Sequence, residues 1–195
     1  MVYKKSCLSG SNYLYSLIQK TPEMEYTELI YSRESIRNYD PGRLLPGNLL
    51  EKILDAGRIA PSACNIQPWK FLLISSPEML EKVRASYPRK WFMDAPHVLV
   101  ILGLKEKAWV RSFDGYNSIE TDLAIAMTHI ILAAENEGVG TCWIEAYDPK
   151  LLKEALIIGE NQVIFGITPL GYQREGFKKN MNKQRKSLSE IVEYL

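Results

Sequence analysis

Ala60-Pro61-Ser62-Ala63-Cys64-Asn65-Ile66-Gln67-Pro68-Trp69 separates a helical pattern from a strand-like one, and this boundary orders the rest of the chain. Upstream, Asn48 to Ile59 reads as a helix: Asn48 can cap it, and Leu50, Ile53, Leu54 and Gly57 share one face. Pro61 ends it, because the residue before a proline is pushed out of helical conformation. Downstream, Trp69 to Ser75 is a short apolar run held between Pro68 and Pro77, the pattern of a buried strand. The loop between them carries its own signal. Two prolines remove conformational freedom before any ligand binds. Ser62, Asn65 and Gln67 offer hydroxyl and amide groups of both polarities, a set that suits a flat heterocycle with alternating donors and acceptors. A plain polar turn explains the prolines as well, but the density of amides less so.

The interleaving of helix and strand continues on both sides. Glu25 to Ser32 reads as a short helix ending before the polar Arg33–Asp40 run and the Pro41-Gly42 turn. Pro77 to Ala85 returns to helix, and His97 to Leu104 is a second buried strand. Lys105 to Asn117 is mixed and aromatic, and Trp109, Phe113 and Tyr116 make it a candidate lid over a substrate. Ile119 to Glu137 is apolar on nearly every side, so it predicts a helix buried in a core or an interface, with Gly138 and Gly140 as its stop. A strand over Thr141–Ala146, a helix over Pro149–Ala155, a strand over Gln162–Leu170 and a closing helix over Leu188–Tyr194 complete the pattern. Interleaving of this kind predicts an α/β or α+β domain with helices covering a sheet. That domain spans 25–195. Residues 1–24 read as an N-terminal extension, either an added helix or a loose arm, with Tyr13, Leu14, Leu17 and Ile18 at helical spacing.

Bulk properties narrow the function. The formal net charge is +1, which gives no general attraction to nucleic acid or to an anionic membrane, so an anion site has to be local. Cys7, Cys64 and Cys142 are far apart and odd in number, with no disulfide framework or zinc spacing, which fits a reducing, cytoplasmic setting. Two isolated histidines, His97 and His129, do not build a metal site. The longest apolar stretch, Leu123 to Ala134, falls short of the roughly 20 residues a membrane span needs.

Three further segments carry possible chemistry. Ser32-Arg33-Glu34-Ser35-Ile36-Arg37-Asn38-Tyr39 puts two guanidinium groups and a hydroxyl within reach of one anionic ligand, although charge solvated near a turn reads equally from it. Gly140-Thr141-Cys142-Trp143-Ile144-Glu145-Ala146 follows the apolar helix and reads as a core strand ending in a glutamate. Gln173 to Lys186 holds six basic residues against one acid, which is either a solvated tail or a phosphate site. Neither the Gly-x-Gly-x-x-Gly fingerprint nor a phosphate loop ending in Gly-Lys-Ser/Thr is present.

Taken in order, these segments resemble the nitroreductase family of FMN enzymes, from about Glu25 to the C-terminus. Asp122 with Leu132-Ala133-Ala134, and Pro169-Leu170-Gly171-Tyr172, add to the likeness. Two positions depart from it: Ala146 stands where family members often have glycine, and Cys64 where a small hydroxyl residue is common.

The resemblance implies an α+β fold, a central mostly antiparallel sheet sandwiched by helices, assembled as an intertwined homodimer with FMN at the interface. It implies that Arg33 and Ser35 hold the phosphate end with Arg185 and Lys183, and that Arg37 lies near the pyrimidine edge of the ring. Pro61, Ser62, Ala63, Asn65 and Gln67 would come from the partner chain to the ribityl and ring groups. The backbone of Ile144 and Glu145 would face the ring, with Gly171 permitting close approach. The implied activity is a two-step transfer of electrons from NAD(P)H through FMN to an electron-poor small molecule such as a nitroaromatic or quinone. A non-catalytic FMN binder and a related flavin enzyme such as a reductive dehalogenase remain open on the same residues.

Overall fold

The computed structural model describes residues 24–195. The expected N-terminal extension lies outside the described residues except for Met24. Four strands form one antiparallel sheet in the order β1-β2-β4-β3, where β1 is Trp69–Ile74, β2 His97–Leu104, β3 Gly140–Thr141 and β4 Gln162–Gly171. Among the described residues six helices surround it: α1 (Tyr26–Ser32), α2 (Gly47–Arg58), α3 (Pro77–Arg84), α4 (Lys90–Met93), α5 (Ile119–Asn136) and α6 (Pro149–Leu156). The fold is α+β.

Strand β2 shows why both sheet faces are covered. Its side chains alternate between faces. Leu99 and Ile101 join a core with Leu50 and Ile53 of α2 and Leu123, Met127 and Ile130 of α5. Val98, Val100 and Leu102 join a second core with Leu80 and Val83 of α3, Phe92 of α4 and Leu152 of α6. The strand is buried from His97 to Gly103, which accounts for its unbroken apolar sequence. Helix α2 lies so close to α5 that a Cβ on Gly57 would meet Ile130 at 2.6 Å.

Several local expectations are corrected. Pro46, not Asn48, caps α2, which begins at Gly47 with no side-chain cap bond. The expected strand over Thr141–Ala146 is cut to Gly140–Thr141 with one further bridge, Ile144 to Ile167. The cause is Pro169. Gly140↔Gly171 and Ile144↔Ile167 belong to one register, which sets Cys142 opposite Pro169. Proline has no N–H for the ladder, and the Cys142 N–H turns instead to the Thr168 hydroxyl at 3.1 Å. Gly140 therefore lies in a strand, and Gly138 alone stops α5. At φ +70° it lets its own N–H reach Glu135 O and the Val139 N–H reach Ala134 O, closing the helix end. The expected closing helix is only a three-residue 3-10 turn, Leu188–Glu190.

His97 resolves as a packed core histidine. Its Nε2 accepts from the Leu45 N–H at 3.4 Å, which fixes the proton on Nδ1, 2.8 Å from the Ser75 hydroxyl. Burial pulls its pKa below the ordinary histidine value. The folded chain thus binds fewer protons here than the unfolded chain once pH drops below about 6.5, so stability falls with pH through that window. His97→Gln lacks this titration. The wild-type advantage in thermal midpoint is expected to narrow between pH 7.5 and pH 5, and a constant gap would rule the linkage out.

Candidate functional site

The segment after α1 is extended. The Ile36 N–H donates to Thr141 O at 2.8 Å, and Ser35 bridges Thr141 in parallel. Extended backbone points alternate residues the same way, so Ile36 goes into the core while Arg33, Ser35 and Arg37 share the opposite face. Gly140 makes this approach possible, since a Cβ there would lie 2.9 Å from Ile36. The Arg37 guanidinium sits 5.9 Å from the centre of the Trp91 ring, over an aromatic cluster with Tyr39, Tyr87 and Phe92.

Arg33 and Ser35 line a cleft of about 230 Å³ whose other walls are Thr128, Ile131 and Leu132 of α5 and Thr141, Cys142 and Trp143. Sequence reasoning did not single out Cys142. Burial pushes its thiol pKa up, and the Arg37 guanidinium, the Ser35 hydroxyl and the Arg33 guanidinium pull it back down. Arg33 and Ser35 line the cleft beside this thiol.

The basic tail lies back along this segment in the opposite direction. The Arg174 N–H donates to Asn38 Oδ1 at 3.1 Å, the Asn180 N–H to Glu34 Oε2 at 3.0 Å, and Lys183 Nζ to the carbonyls of Tyr31 and Arg33, the latter at 2.7 Å. Phe177 packs on the Ile36–Tyr39–Ala95 cluster. Several cations of this basic stretch are thus spent on their own chain. The Arg174 guanidinium pairs with Asp94 at 2.9 Å, Lys179 pairs with buried Glu135, and Lys183 caps the carbonyl end of α1. Burial against that helix end lowers the Lys183 pKa. Two of its three protons are used and one is left. Arg185 is exposed and donates to Gln184 O at 2.7 Å.

The 60–69 loop does not join this cluster within one chain. Its tie is to Asp122, whose Oδ1 accepts from the Ala63 N–H at 2.9 Å. Asp122 and cleft-lining Leu132 are ten residues apart on α5, about 15 Å along its axis. The loop folds on itself: the Gln67 N–H donates to the Ser62 hydroxyl oxygen at 2.9 Å, and Gln67 Nε2 to Asn65 Oδ1 at 3.0 Å. The Ser62 proton, Asn65 Nδ2 and Gln67 Oε1 are left for a ligand. Pro61 is exposed at the loop's start. Cys64, Asn65 and Gln67 all have left-handed backbone, with φ of 50°, 55° and 54°, which costs on the order of 1 kcal/mol each.

The Lys105–Asn117 segment is a short hairpin rather than an open loop. Val110 bridges Asn117, the Arg111 N–H donates to Tyr116 O at 2.8 Å, and Gly115 turns at φ +74°. Arg111 clasps Asp114 through two bonds and lies over the Tyr116 ring at 4.9 Å. Phe113 stands at the tip, 94% exposed, while Trp109 is half-buried at the base. The hairpin projects from the same end of α5 as the 60–69 loop.

Strand-end positions read differently from expectation. Both backbone groups of Ile144 are paired with Ile167, while the flanking Trp143 and Glu145 N–H groups have no acceptor among the described residues. The Glu145 carboxylate accepts from Trp143 Nε1 at 2.9 Å. At Gly171 a Cβ would meet Pro96 at 2.7 Å and Tyr39 at 3.1 Å, so packing within the chain already demands glycine there.

Comparison with known proteins identifies this arrangement. The nitroreductase family model matches residues 30–87 and 81–172. The structure of a nitroreductase family protein from Clostridium difficile 630 is similar at TM-score 0.81 and 32% identity, covering 88% of this chain and 98% of its own. A relative in Archaeoglobus fulgidus, provisionally named an NADH dehydrogenase/NAD(P)H nitroreductase, is 33% identical over 77% of this chain and 87% of its own length. A provisionally named nitroreductase from Exiguobacterium sibiricum 255-15, solved in complex with FMN, shares the fold at TM-score 0.77 and 20% identity, covering 88% of this chain and 98% of its own. The chain belongs to the nitroreductase family.

Proposed function

We propose that this protein binds FMN and passes electrons from NAD(P)H to an electron-poor small molecule, such as a nitroaromatic or a quinone, in two successive steps. The observation that carries the reading is the shared face of Arg33, Ser35 and Arg37 above the cleft, with the tail laid alongside. Two guanidinium groups and a hydroxyl fit an anionic, planar ligand. FMN, when bound, supplies the redox chemistry, and the protein binds, orients and shields it. Arg33 and Ser35 would hold the phosphate end, with the spare Lys183 proton and Arg185 adding to it. Arg37 would face the electron-accepting edge of the ring, and the Glu145 N–H beside Ile144 would point at its centre.

The working form is a homodimer of the 25–195 domain. The cleft is smaller than the roughly 300–1,000 Å³ of most small-molecule sites, so a further wall is needed. One side of α5 is not buried by its own chain: Thr121 and Thr128 are exposed, and Ile125 and Leu132 are half-exposed. At the C-terminus Leu188, Ile191, Val192, Tyr194 and Leu195 are exposed, and none joins a hydrophobic core among the described residues. A second copy covering these surfaces would bring its Pro61–Gln67 loop and Trp109–Tyr116 hairpin toward the cleft of the first.

Protein loaded with FMN is expected to be yellow, to bleach under anaerobic NADH or NADPH, and to regain colour on adding a quinone or nitroaromatic. Failure to retain FMN would end the reading. FMN-loaded protein that neither nicotinamide bleaches would remove the NAD(P)H step and leave a binding role.

A further inference from the structure

We propose that Asp122 is the positioning residue for the cofactor-binding loop, fixing in advance the shape in which Ser62, Asn65 and Gln67 meet the flavin. The inference rests on the FMN reading above.

Asp122 is 1% exposed, and among the described residues no cation pairs with it. A carboxylate so placed is costly unless donors are aimed at it. Two are. Oδ2 accepts from the Ser118 hydroxyl at 2.8 Å and Oδ1 from the Ala63 N–H at 2.9 Å. The group also lies in the first turn of α5, where the aligned peptide dipoles favour a negative charge. Ser118 and the helix end therefore hold the carboxylate in place, and its second oxygen is committed to the loop.

The loop needs such a hold. Three non-glycine residues within four positions, Cys64, Asn65 and Gln67, sit in the left-handed region. Conformations of that kind persist only where the surroundings over-determine them. The loop's remaining bonds, Gln67 to Ser62, Gln67 to Asn65 and the backbone bonds of Asn65 to Ser62 and Ile66 to Ala63, are internal. Among the described residues, the hydrogen bond leaving residues 61–67 for the rest of the chain is the one to Asp122. Without it the internal bonds close the loop but do not fix its orientation on the body.

The test uses full-length protein with two variants on the acceptor side of the bond and one on the donor side. Asp122→Asn keeps an oxygen for the Ala63 N–H, and Asp122→Ala removes it. Ala63→Pro deletes the donor instead. Ser62 before it is extended, with φ −141° and ψ 160°, which a following proline accepts. Amide hydrogen exchange of the apo-protein reads the clamp, and equilibrium titration with FMN reads its consequence. Asp122→Ala is expected to lose protection at Ala63 and to weaken FMN binding at least about tenfold, the scale of one charge-assisted hydrogen bond. Asp122→Asn should stay near wild type in both. Ala63→Pro should match Asp122→Ala in affinity and add little to it in the double variant. Unchanged exchange at Ala63 in Asp122→Ala would overturn the clamp. Lost protection with wild-type FMN affinity would overturn its role in binding. A wild-type protein that takes up no FMN, yet shows the exchange difference, would locate the failure in the FMN reading.

Discussion

FMN affinity is expected to fall about a hundredfold or more when Arg33 and Arg37 are both replaced by alanine, and about tenfold for either alone. Charge-assisted hydrogen bonds net about 1.5–3 kcal/mol each, and about 1.4 kcal/mol is tenfold in affinity. The two guanidinium groups lie on one face of the extended segment beside Thr141, so both are placed to address one ligand. Their roles should separate in a second measurement. A donor aimed at developing charge is worth roughly 3 kcal/mol, and at 30 mV per 1.4 kcal/mol Arg37→Ala should lower the flavin midpoint potential by about 60 mV. Arg33→Ala, which acts on the phosphate end, should leave the potential alone. Arg37 also covers Trp91, so the thermal midpoint of Arg37→Ala has to be read alongside. Arg185→Ala should cost less than Arg33→Ala, because an exposed side chain must first be ordered, at up to about 2 kcal/mol of rotamer entropy. Unaltered affinity in the Arg33/Arg37 double variant would place the anion site elsewhere.

What the sequence made legible follows from which forces are local. Strand β2 could be read because both faces are buried and every residue after His97 is apolar. The 33–37 cations could be read as a group from their spacing, whereas their shared face follows from an extended backbone that only the fold shows. Partner-dependent features could not. The apolar spacing of Leu188 to Tyr194 resembles a helix, but a short helix needs a surface to lie on, and none of this chain's cores receives these residues. The 105–117 hairpin had a local marker, Asp114-Gly115, a pair that favours tight turns, although the aromatics drew attention away from it. Pro169 likewise marked the break in pairing at Cys142. Asp122 and Glu135 were the least visible. Both are buried acids on a largely apolar helix, and only the folded chain shows that partners come from distant segments, Ala63, Ser32 and Lys179. An acid at a core position of an apolar helix was the available signal.

Lys179→Met is expected to destabilise the fold by about 2–3 kcal/mol and to release the tail from the site. The Glu135 carboxylate is 4% exposed and accepts from the Ser32 hydroxyl at 2.7 Å and from Lys179 Nζ. Removing the cation leaves a buried negative charge with one neutral donor, which for a fully buried pair costs about 3–5 kcal/mol. Because the Lys179 side chain is 28% exposed, the lower end applies and water can relieve part of the loss. Removing both charges should be far milder, so Glu135→Gln with Lys179→Met should recover much of the stability, and a double-mutant cycle isolates the pair. The release has its own readout. Lys179 lies between the Arg174–Asn38 and Lys183–Arg33 ties, so its loss should open residues 174–187 to limited proteolysis. FMN affinity should then fall in Lys179→Met although Lys179 is committed to Glu135, because the spare Lys183 proton and Arg185 leave with the tail. A destabilised variant with a protected tail and full affinity would show that the ties of Arg174, Phe177, Asn180 and Lys183 hold the tail without Lys179.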